Sequence, residues 1–510
     1  KGLLEKIKGM FSFVIVDANE KTIFIARDHF GIKPMYTYQN SDLFLFSSEI
    51  KSFYAHPLFK NELNVDNLTE YLMFKFCSGE NTLLKNVKQL APATYLEIKE
   101  NDIRIYKYWK SEVFFNNQIE INKNVNDKVE QLLDKSIKSQ LLGDVKIGCQ
   151  LSGGIDSSLV TFLARENYDA NMDAFSIIFE DKKYSEENWI DYASENSKTN
   201  SHKFFYENNY TADNIFSATW HLDTPINLPN TLGIKLLAKK SSKFVKVLLS
   251  GEGADELFCG YERFFNSEYR IQNKYILNIL SSIPLIKTKL INRFKLRDSD
   301  DKYMLLSPSS ISQSELNKLF FENNYEEVVN DRLSMVPNHL NNLQKFVYYE
   351  MNTWLVDLLV RQDKMMMAHS IENRVPFLDK DLVEYVFKNF NNIQADFNPN
   401  IFKINKSGLY TKSIIKKIAS KYFNGEFVYR SKSGFPLPLY DLFYKSEMNQ
   451  LINDDLMPSI KNRDILNYDF INDVWISTKN NPTRANLKNL WMIISFEIWA
   501  KLFLDKNYVN

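Results

Sequence analysis

The run Lys146-Ile147-Gly148-Cys149-Gln150-Leu151-Ser152-Gly153-Gly154-Ile155-Asp156-Ser157-Ser158-Leu159-Val160 decides the fold. Lys146 to Leu151 reads as a buried strand and Ser157 to Glu166 as a helix, with two glycines at the corner. Glycine lets the backbone turn tightly and bring several N–H groups to one point. The helix N-terminus adds partial positive charge, so the corner is built for an anion such as phosphate. Ser152, Ser157 and Ser158 add hydroxyl donors. Asp156 is itself anionic, and its natural partner is a Mg²⁺ that bridges phosphates. A plain strand–turn–helix corner also uses Gly and an N-capping Ser, but the whole Ser-Gly-Gly-x-Asp-Ser string asks for more than a turn. It is not a Walker loop and lacks the glycine spacing of a dinucleotide fingerprint.

Outward from this corner, strand and helix patterns alternate. Ala174–Phe179, Ser201–Tyr206 and Phe244–Leu249 read as strands, and Glu186–Ser197 and Leu232–Ser241 as helices. Such alternation predicts a doubly wound parallel sheet. A helix precedes it from Asp127 to near Gly143, with Val129, Leu132, Leu133, Ile137 and Leu141 on one face. After about Tyr261 everything reads as helical, with polar loops near Arg297–Lys302 and Phe397–Ser407. Trp491–Leu504, interrupted by Glu497 and Lys501, is too short to cross a bilayer and reads as an amphipathic helix docked on a core.

A second loop, Ser250-Gly251-Glu252-Gly253-Ala254-Asp255-Glu256-Leu257-Phe258, follows the strand ending at Leu249. In a parallel sheet both loops leave the carboxyl edge, where ligands collect. Three carboxylates so close together repel unless a cation or proton chemistry uses them. Asp255 is placed to share the metal with Asp156, and Glu252 to take a proton from an attacking amine.

Before residue 110 the pattern is mostly strand. Phe11–Val16 and Thr22–Ala26 flank a polar turn as a hairpin, Leu43–Ser47 and Thr94–Ile98 are further strands, and Asn67–Phe76 is helical. The Asn-rich stretch 111–126 reads as a linker. A chain of 510 residues needs more than one core. With Lys plus Arg equal to Asp plus Glu at 63 each, a nucleic-acid partner is not expected. Three cysteines without C-x-x-C spacing and six scattered histidines give neither disulfide framework nor zinc site. No signal peptide or membrane span is apparent, so a cytoplasmic setting is expected.

The first loop resembles the pyrophosphate loop of the N-type ATP pyrophosphatases, and both loops together resemble the synthetase domain of the glutamine-dependent asparagine synthetases. Further stretches extend the likeness almost end to end: Arg361-Gln362-Asp363-Lys364-Met365, Ser370 to Asp379, Thr411 to Lys416 and Arg430 to Pro438. By that resemblance Leu151, Ser152, Gly153, Gly154, Asp156, Ser157 and Ser158, with Ser250 and Gly251, hold ATP and pyrophosphate, and Ile177 lies by the adenine and ribose. Asp156 and Asp255 bind Mg²⁺, Glu252 is the base, and Lys412 stabilises charge on the α-phosphate. Asp363, Glu372 and Arg374 are expected to organise the substrate face. Cys259 departs from the glycine usual before Gly260-Tyr261.

Gly9 to Phe13, Ala26 to Pro34 and Phe46 to Lys51 resemble the second half of the family's N-terminal-nucleophile glutaminase domain. That chemistry needs a cysteine as first residue, acting with its own α-amine. Residue 1 is Lys1, so the expectation is an N-terminally truncated sequence. The expected units are the remainder of a type 2 glutamine amidotransferase domain (1–112), a linker (113–126) and an asparagine synthetase domain (127–510). The implied reaction is amidation of aspartate to asparagine through β-aspartyl-AMP. Nitrogen would come from glutamine in the full-length protein and from free ammonia in this chain. The alternative is a relative that amidates another carboxylate, such as a sugar acid of a surface polysaccharide. A homodimer is compatible with the resemblance.

Overall fold

Alternating side chains from Ser12 onward fold as a hairpin. β1 (Ser12–Asp17) pairs antiparallel with β2 (Thr22–Arg27), and Asp17 Oδ1 accepts from the N–H groups of Asn19 and Glu20, both at 3.0 Å. The computed structural model describes residues 2–100, 102–115, 124–168, 171–179, 185–206, 211–275, 277, 299–320, 322–394, 411–430, 439–445 and 447–506. Of the sequence expectations, most of the linker (116–123), positions 297–298, the loop 397–407 and residues 431–438 lie outside the described residues.

The N-terminal region continues with β3 (Tyr36–Gln39), β4 (Phe44–Ser47), helix α1 (Val65–Phe74), β5 (Val87–Gln89), β6 (Thr94–Lys99) and β7 (Asp102–Lys107). The strands form two antiparallel sheets, β1-β2-β6-β7 and β4-β3-β5. Helix α1 runs two residues earlier than periodicity suggested. The Asn64 side chain caps its start, and Lys75, left-handed at φ 76°, ends it.

Next come α2 (Val125–Gln140), β8 (Ile147–Gln150), α3 (Ile155–Glu166), β9 (Asp173–Ile178), α4 (Glu187–Asn196), β10 (Asn200–Phe205), α5 (Ala212–Leu222), α6 (Thr231–Ser241), β11 (Val247–Leu249) and α7 (Ala254–Leu257). Beyond Tyr261 lie α8 (Trp354–Met367), β12 (Glu372–Arg374), α9 (Ser413–Ala419), α10 (Arg484–Phe503) and further helices. The expectation of helix alone after Tyr261 is therefore corrected. The polar triplet Glu372–Arg374 gives no strand signal of its own, yet it pairs in parallel with β11 as the sheet's fifth strand.

The parallel sheet has the order β10-β9-β8-β11-β12. The chain lays down β8, β9 and β10 in one direction and then returns to the other side of β8 with β11. The reversal lies between β8 and β11, and ligands of open parallel sheets bind outside the carboxyl ends at such a point. β9 shows how both faces are covered. Ala174 and Ile178 join Ile190, Ala193, Phe423 and Phe427 on one side, while Phe175 and Ile177 pack with Leu237, Leu248 and Met366 on the other.

Helix α10 corrects a second expectation. It is not amphipathic: residues 489–503 are buried without a break. Glu497 and Lys501, which seemed to mark a wet face, are inside and paired. Arg463 Nη2 meets Glu497 at 2.8 Å and Lys501 meets Asp455 at 2.8 Å. Trp491 and Trp499 donate to the carbonyls of Ile226 (2.7 Å) and Asp223 (2.9 Å). Truncating either ring to Ala would cost about 3–5 kcal/mol.

Candidate active site

β8 and β11 are neighbours, with Val247 opposite Ile147 and Leu249 opposite Cys149. Their following loops therefore emerge side by side. In the first loop Ser157 Oγ accepts from the Ser152 N–H at 3.2 Å, lies 3.0 Å from Ser152 Oγ and donates to Gly154 O at 3.1 Å. Gly154 gives α3 no capping side chain, which leaves first-turn N–H groups for an anion. Arg430 ties this loop down: its guanidinium donates to Gly153 O at 2.7 Å and pairs with Glu186 at 2.9 Å.

The second loop lies directly on the first. A Cβ on Gly251 would sit 2.7 Å from the Ser157 nitrogen and 3.0 Å from Asp156 Cβ, so a larger residue would push the loops apart. Across this junction Lys412 Nζ contacts Asp156 Oδ2 and Asp255 Oδ1, each at 2.6 Å. The two carboxylates are thus held no more than twice that distance apart. Lys412 is buried and left-handed (φ 52°) at the start of α9. Gly260 closes the floor, since a Cβ there would fall 2.0 Å from Asp255 Oδ1 and 2.1 Å from Lys412 Cε. Its neighbour Cys259 is buried at φ 52°, a conformation glycine adopts without cost, which gives the family's usual glycine a physical reason.

The charge around this junction shifts its neighbours. Burial, and then Asp255, push Glu256 up to about 8, while the Tyr261 hydroxyl donates to it at 2.6 Å. Burial, and then Lys412, bring Lys416 down to about 8. Asp156 Oδ1 is buried without a hydrogen-bond partner, and so is the Ser250 hydroxyl.

Above the junction opens a cleft of about 360 Å³ whose walls include Leu151, Ser152, Gly154, Ile177, Glu252 and Arg361. The expected residues divide into four groups. Leu151, Ser152, Gly154, Ile177 and Glu252 line the cleft; Gly153, Asp156, Ser157, Ser250, Gly251, Asp255 and Lys412 form the two loops and the charged junction beside it. Ser158 points inward, fully buried, and donates to Gly154 O at 2.8 Å. Asp363, Glu372 and Arg374 are not among the described residues that line the cleft. Asp363 pairs with Lys33 of the N-terminal region at 2.6 Å. Arg374 pairs with Glu372 at 2.7 Å and donates to the carbonyls of Gln140 (2.5 Å) and Leu142 (2.8 Å) at the end of α2.

Their place on the cleft wall is taken by Arg361 and Gln362, quoted in the same sequence stretch but given no role. Arg361 donates to Asn230 Oδ1 at 2.7 Å and Gln362 to Gln150 Oε1 at 2.7 Å. Arg361 also lines a separate cavity reaching Tyr36, Cys77 and Ser78 of the N-terminal region. Helix α8 is buried on nearly every side, so its sequence offers no polar face that would tell residue 361 from 363.

Comparison with known proteins adds an independent line. A family model described as Asparagine synthase matches residues 128–501, and one described as Glutamine amidotransferase domain matches residues 1–109. The chain is 29% identical over 526 residues to Asparagine synthetase [glutamine-hydrolyzing] 1 of Bacillus subtilis (strain 168), covering 99% of this chain and 79% of that protein. Asparagine synthetase [glutamine-hydrolyzing] 3 of the same organism is 28% identical, covering 85% and 68%. A more distant likeness is to Amidase chyE of Penicillium rubens (strain ATCC 28089 / DSM 1075 / NRRL 1951 / Wisconsin 54-1255), 25% identical, with 85% of this chain and 70% of that one covered.

Proposed function

The chain belongs to the asparagine synthase family of ATP-using amidotransferases, and on that premise we propose that it converts aspartate to asparagine through an acyl-adenylate. The observation that carries this reading is the convergence of Asp156 and Asp255 on the single ammonium of Lys412. Two carboxylates and a lysine beside uncapped helix N–H groups suit a metal-bound triphosphate. Adenylation needs the β- and γ-phosphates held while the α-phosphorus is attacked.

In the first step an oxygen of the aspartate side-chain carboxylate attacks the α-phosphorus of ATP. The new P–O bond forms as the bond to pyrophosphate breaks, giving β-aspartyl-AMP. The α3 N-terminus, Ser152 and Ser157 receive the departing pyrophosphate, and Lys412 offsets charge growing on the α-phosphate. In the second step ammonia attacks the acyl carbon, Glu252 accepts the amine proton, and the C–O bond to AMP breaks. The orphaned Asp156 Oδ1 fits a divalent cation. Among the described residues no cluster of three or more His, Cys, Asp or Glu side chains is suited to hold one; Asp156 and Asp255 are the residues that would hold it. When bound, Mg²⁺ would neutralise phosphate charge at Asp156 and Asp255.

The proposed entry for ammonia is the cavity that runs from Tyr36 and Ser78 to Arg361. The thiol of Cys77 beside it donates to Asn67 O at 3.6 Å, and burial pushes it well above its usual range. Cys77 also has no α-amine to act as base, so it is given no nucleophile's role; ammonia is the nitrogen species proposed to reach the acyl carbon. We divide it into units 1–112 and 127–510 joined by 113–126. A second reading takes another carboxylate, such as a sugar acid, as the acceptor. ATP–pyrophosphate exchange decides between them. Aspartate-dependent exchange is expected; exchange driven by a uronic acid but not by aspartate would replace the first reading with the second.

A further inference from the structure

Helix α6 separates two concavities. Gly233, Ile234 and Leu237 face the cleft, whereas Lys235 and Lys239 line a cavity of about 320 Å³ on the other side. Helix α5 brings Ser217 and His221 to this cavity, and His369, just past α8, helps close it. Four basic side chains converge there, and among the described residues that line it there is no Asp or Glu.

Lys235 and Lys239 are four apart on one helix, a spacing at which like charges repel. Lys235 donates to a neutral group, the Ser217 hydroxyl, at 2.6 Å. Burial, and then Lys239, bring Lys235 down to about 8. His221 and His369 are also held below the usual imidazole range, by burial first and then by Lys235. Glu49 and Asp223, the carboxylates that act on His221, are each engaged by Lys51, at 2.9 and 3.1 Å. His369 Nε2 is buried without a hydrogen-bond partner. A concave surface of like charge with spare N–H capacity lowers its free energy by taking up an anion.

We propose that this cavity is a binding site, distinct from the catalytic cleft, for a small phosphate-type oxyanion. The two ammonium groups supply charge, and Ser217 and the imidazoles supply directed donors for tetrahedral oxygens. Free phosphate and pyrophosphate share this chemistry. The site does not depend on which carboxylate the enzyme amidates.

Isothermal titration of the full chain with inorganic phosphate tests it, with pyrophosphate as a parallel arm. Phosphate should bind saturably below about 10 mM. The binding assigned to this cavity should weaken about tenfold or more in the Lys235→Gln/Lys239→Gln variant, whereas Lys412→Met should weaken only binding at the catalytic junction. Pyrophosphate should fill two classes of site in the wild type and one in the double variant; the tighter of the two anions here identifies the source. His369→Gln, with a smaller loss, guards against a misfolded double variant, and thermal melts confirm folding. Absence of saturable phosphate binding, or binding lost with Lys412→Met but kept in the Lys235→Gln/Lys239→Gln variant, would overturn the proposal.

Discussion

Two lysines on opposite sides of the cleft wall meet opposite surroundings. Lys412 is 4% exposed, and its ammonium touches two carboxylates at 2.6 Å. Lys235 shares a cavity with Lys239, His221 and His369 and has a hydroxyl as its hydrogen-bond partner. The deeper lysine is the one whose charge is matched. Burial alone therefore does not decide whether a cation is strained; the sign of what surrounds it does. A matched cation anchors a pre-formed site, whereas an unmatched one signals a ligand still to come.

Removing the matched cation should have the largest effect. Lys412→Met is expected to lower aspartate-dependent ATP–pyrophosphate exchange by about 10³-fold, the scale of losing a group aimed at developing phosphate charge. It also leaves Asp156 and Asp255 facing each other, at a cost of about 3–5 kcal/mol visible in denaturant melts. If Lys412→Met were no worse than Lys235→Gln in exchange, the distinction between the two lysines would vanish.

Asp255→Asn comes next. It leaves Lys412 one carboxylate and removes one proposed metal ligand. Exchange should fall by about 10²-fold, with a higher Mg²⁺ concentration needed for half-maximal rate. An unchanged Mg²⁺ dependence would remove Asp255 from the metal's shell. Gly251→Ala probes the junction itself. The added methyl meets the Ser157 nitrogen at 2.7 Å, and overpacking of this kind costs about 1–3 kcal/mol. A lower melting temperature, with exchange lost in proportion to the displaced loops, is the expected outcome.

The matched site was legible in the sequence and the unmatched one was not, for a physical reason. Ser152 to Ser158 and Ser250 to Phe258 carry their chemistry in local order, with glycines where backbones meet and acids where a cation is needed. Any chain that places both after adjacent parallel strands brings them together. The basic cavity draws on α5, α6 and the residue after α8, and nothing local marks Ser217, Lys235 and His369 as neighbours. The same limit explains the shorter misses. Glu372–Arg374 becomes a strand only because β11 offers it an edge. Glu497 and Lys501 look like a wet face until Arg463 and Asp455 arrive to pair them. Asp363 was expected on the substrate face by family resemblance, and the fold pairs it with Lys33 of the N-terminal region.

The smallest expected effect follows from the titration of Lys235. Its folded value, about 8, lies below that of a free lysine. Between about pH 8 and 10.4 the folded protein therefore binds fewer protons here than the unfolded chain, and stability at this group rises with pH. At pH 7 the full cost of holding the charge, through burial first and then the nearness of Lys239, is present. Lys235→Gln removes that cost and loses one hydrogen bond to Ser217. The side chain is partly open to solvent, so the net gain is small, on the order of 1 °C in melting temperature at pH 7. It should shrink as pH rises through 8 and disappear near 10.4. Saturating phosphate should reverse the sign at pH 7, because the anion stabilises only the protein that still carries the charge. A melting temperature that does not respond to phosphate in the wild type would mean that the cluster of like charges is tolerated for its own sake.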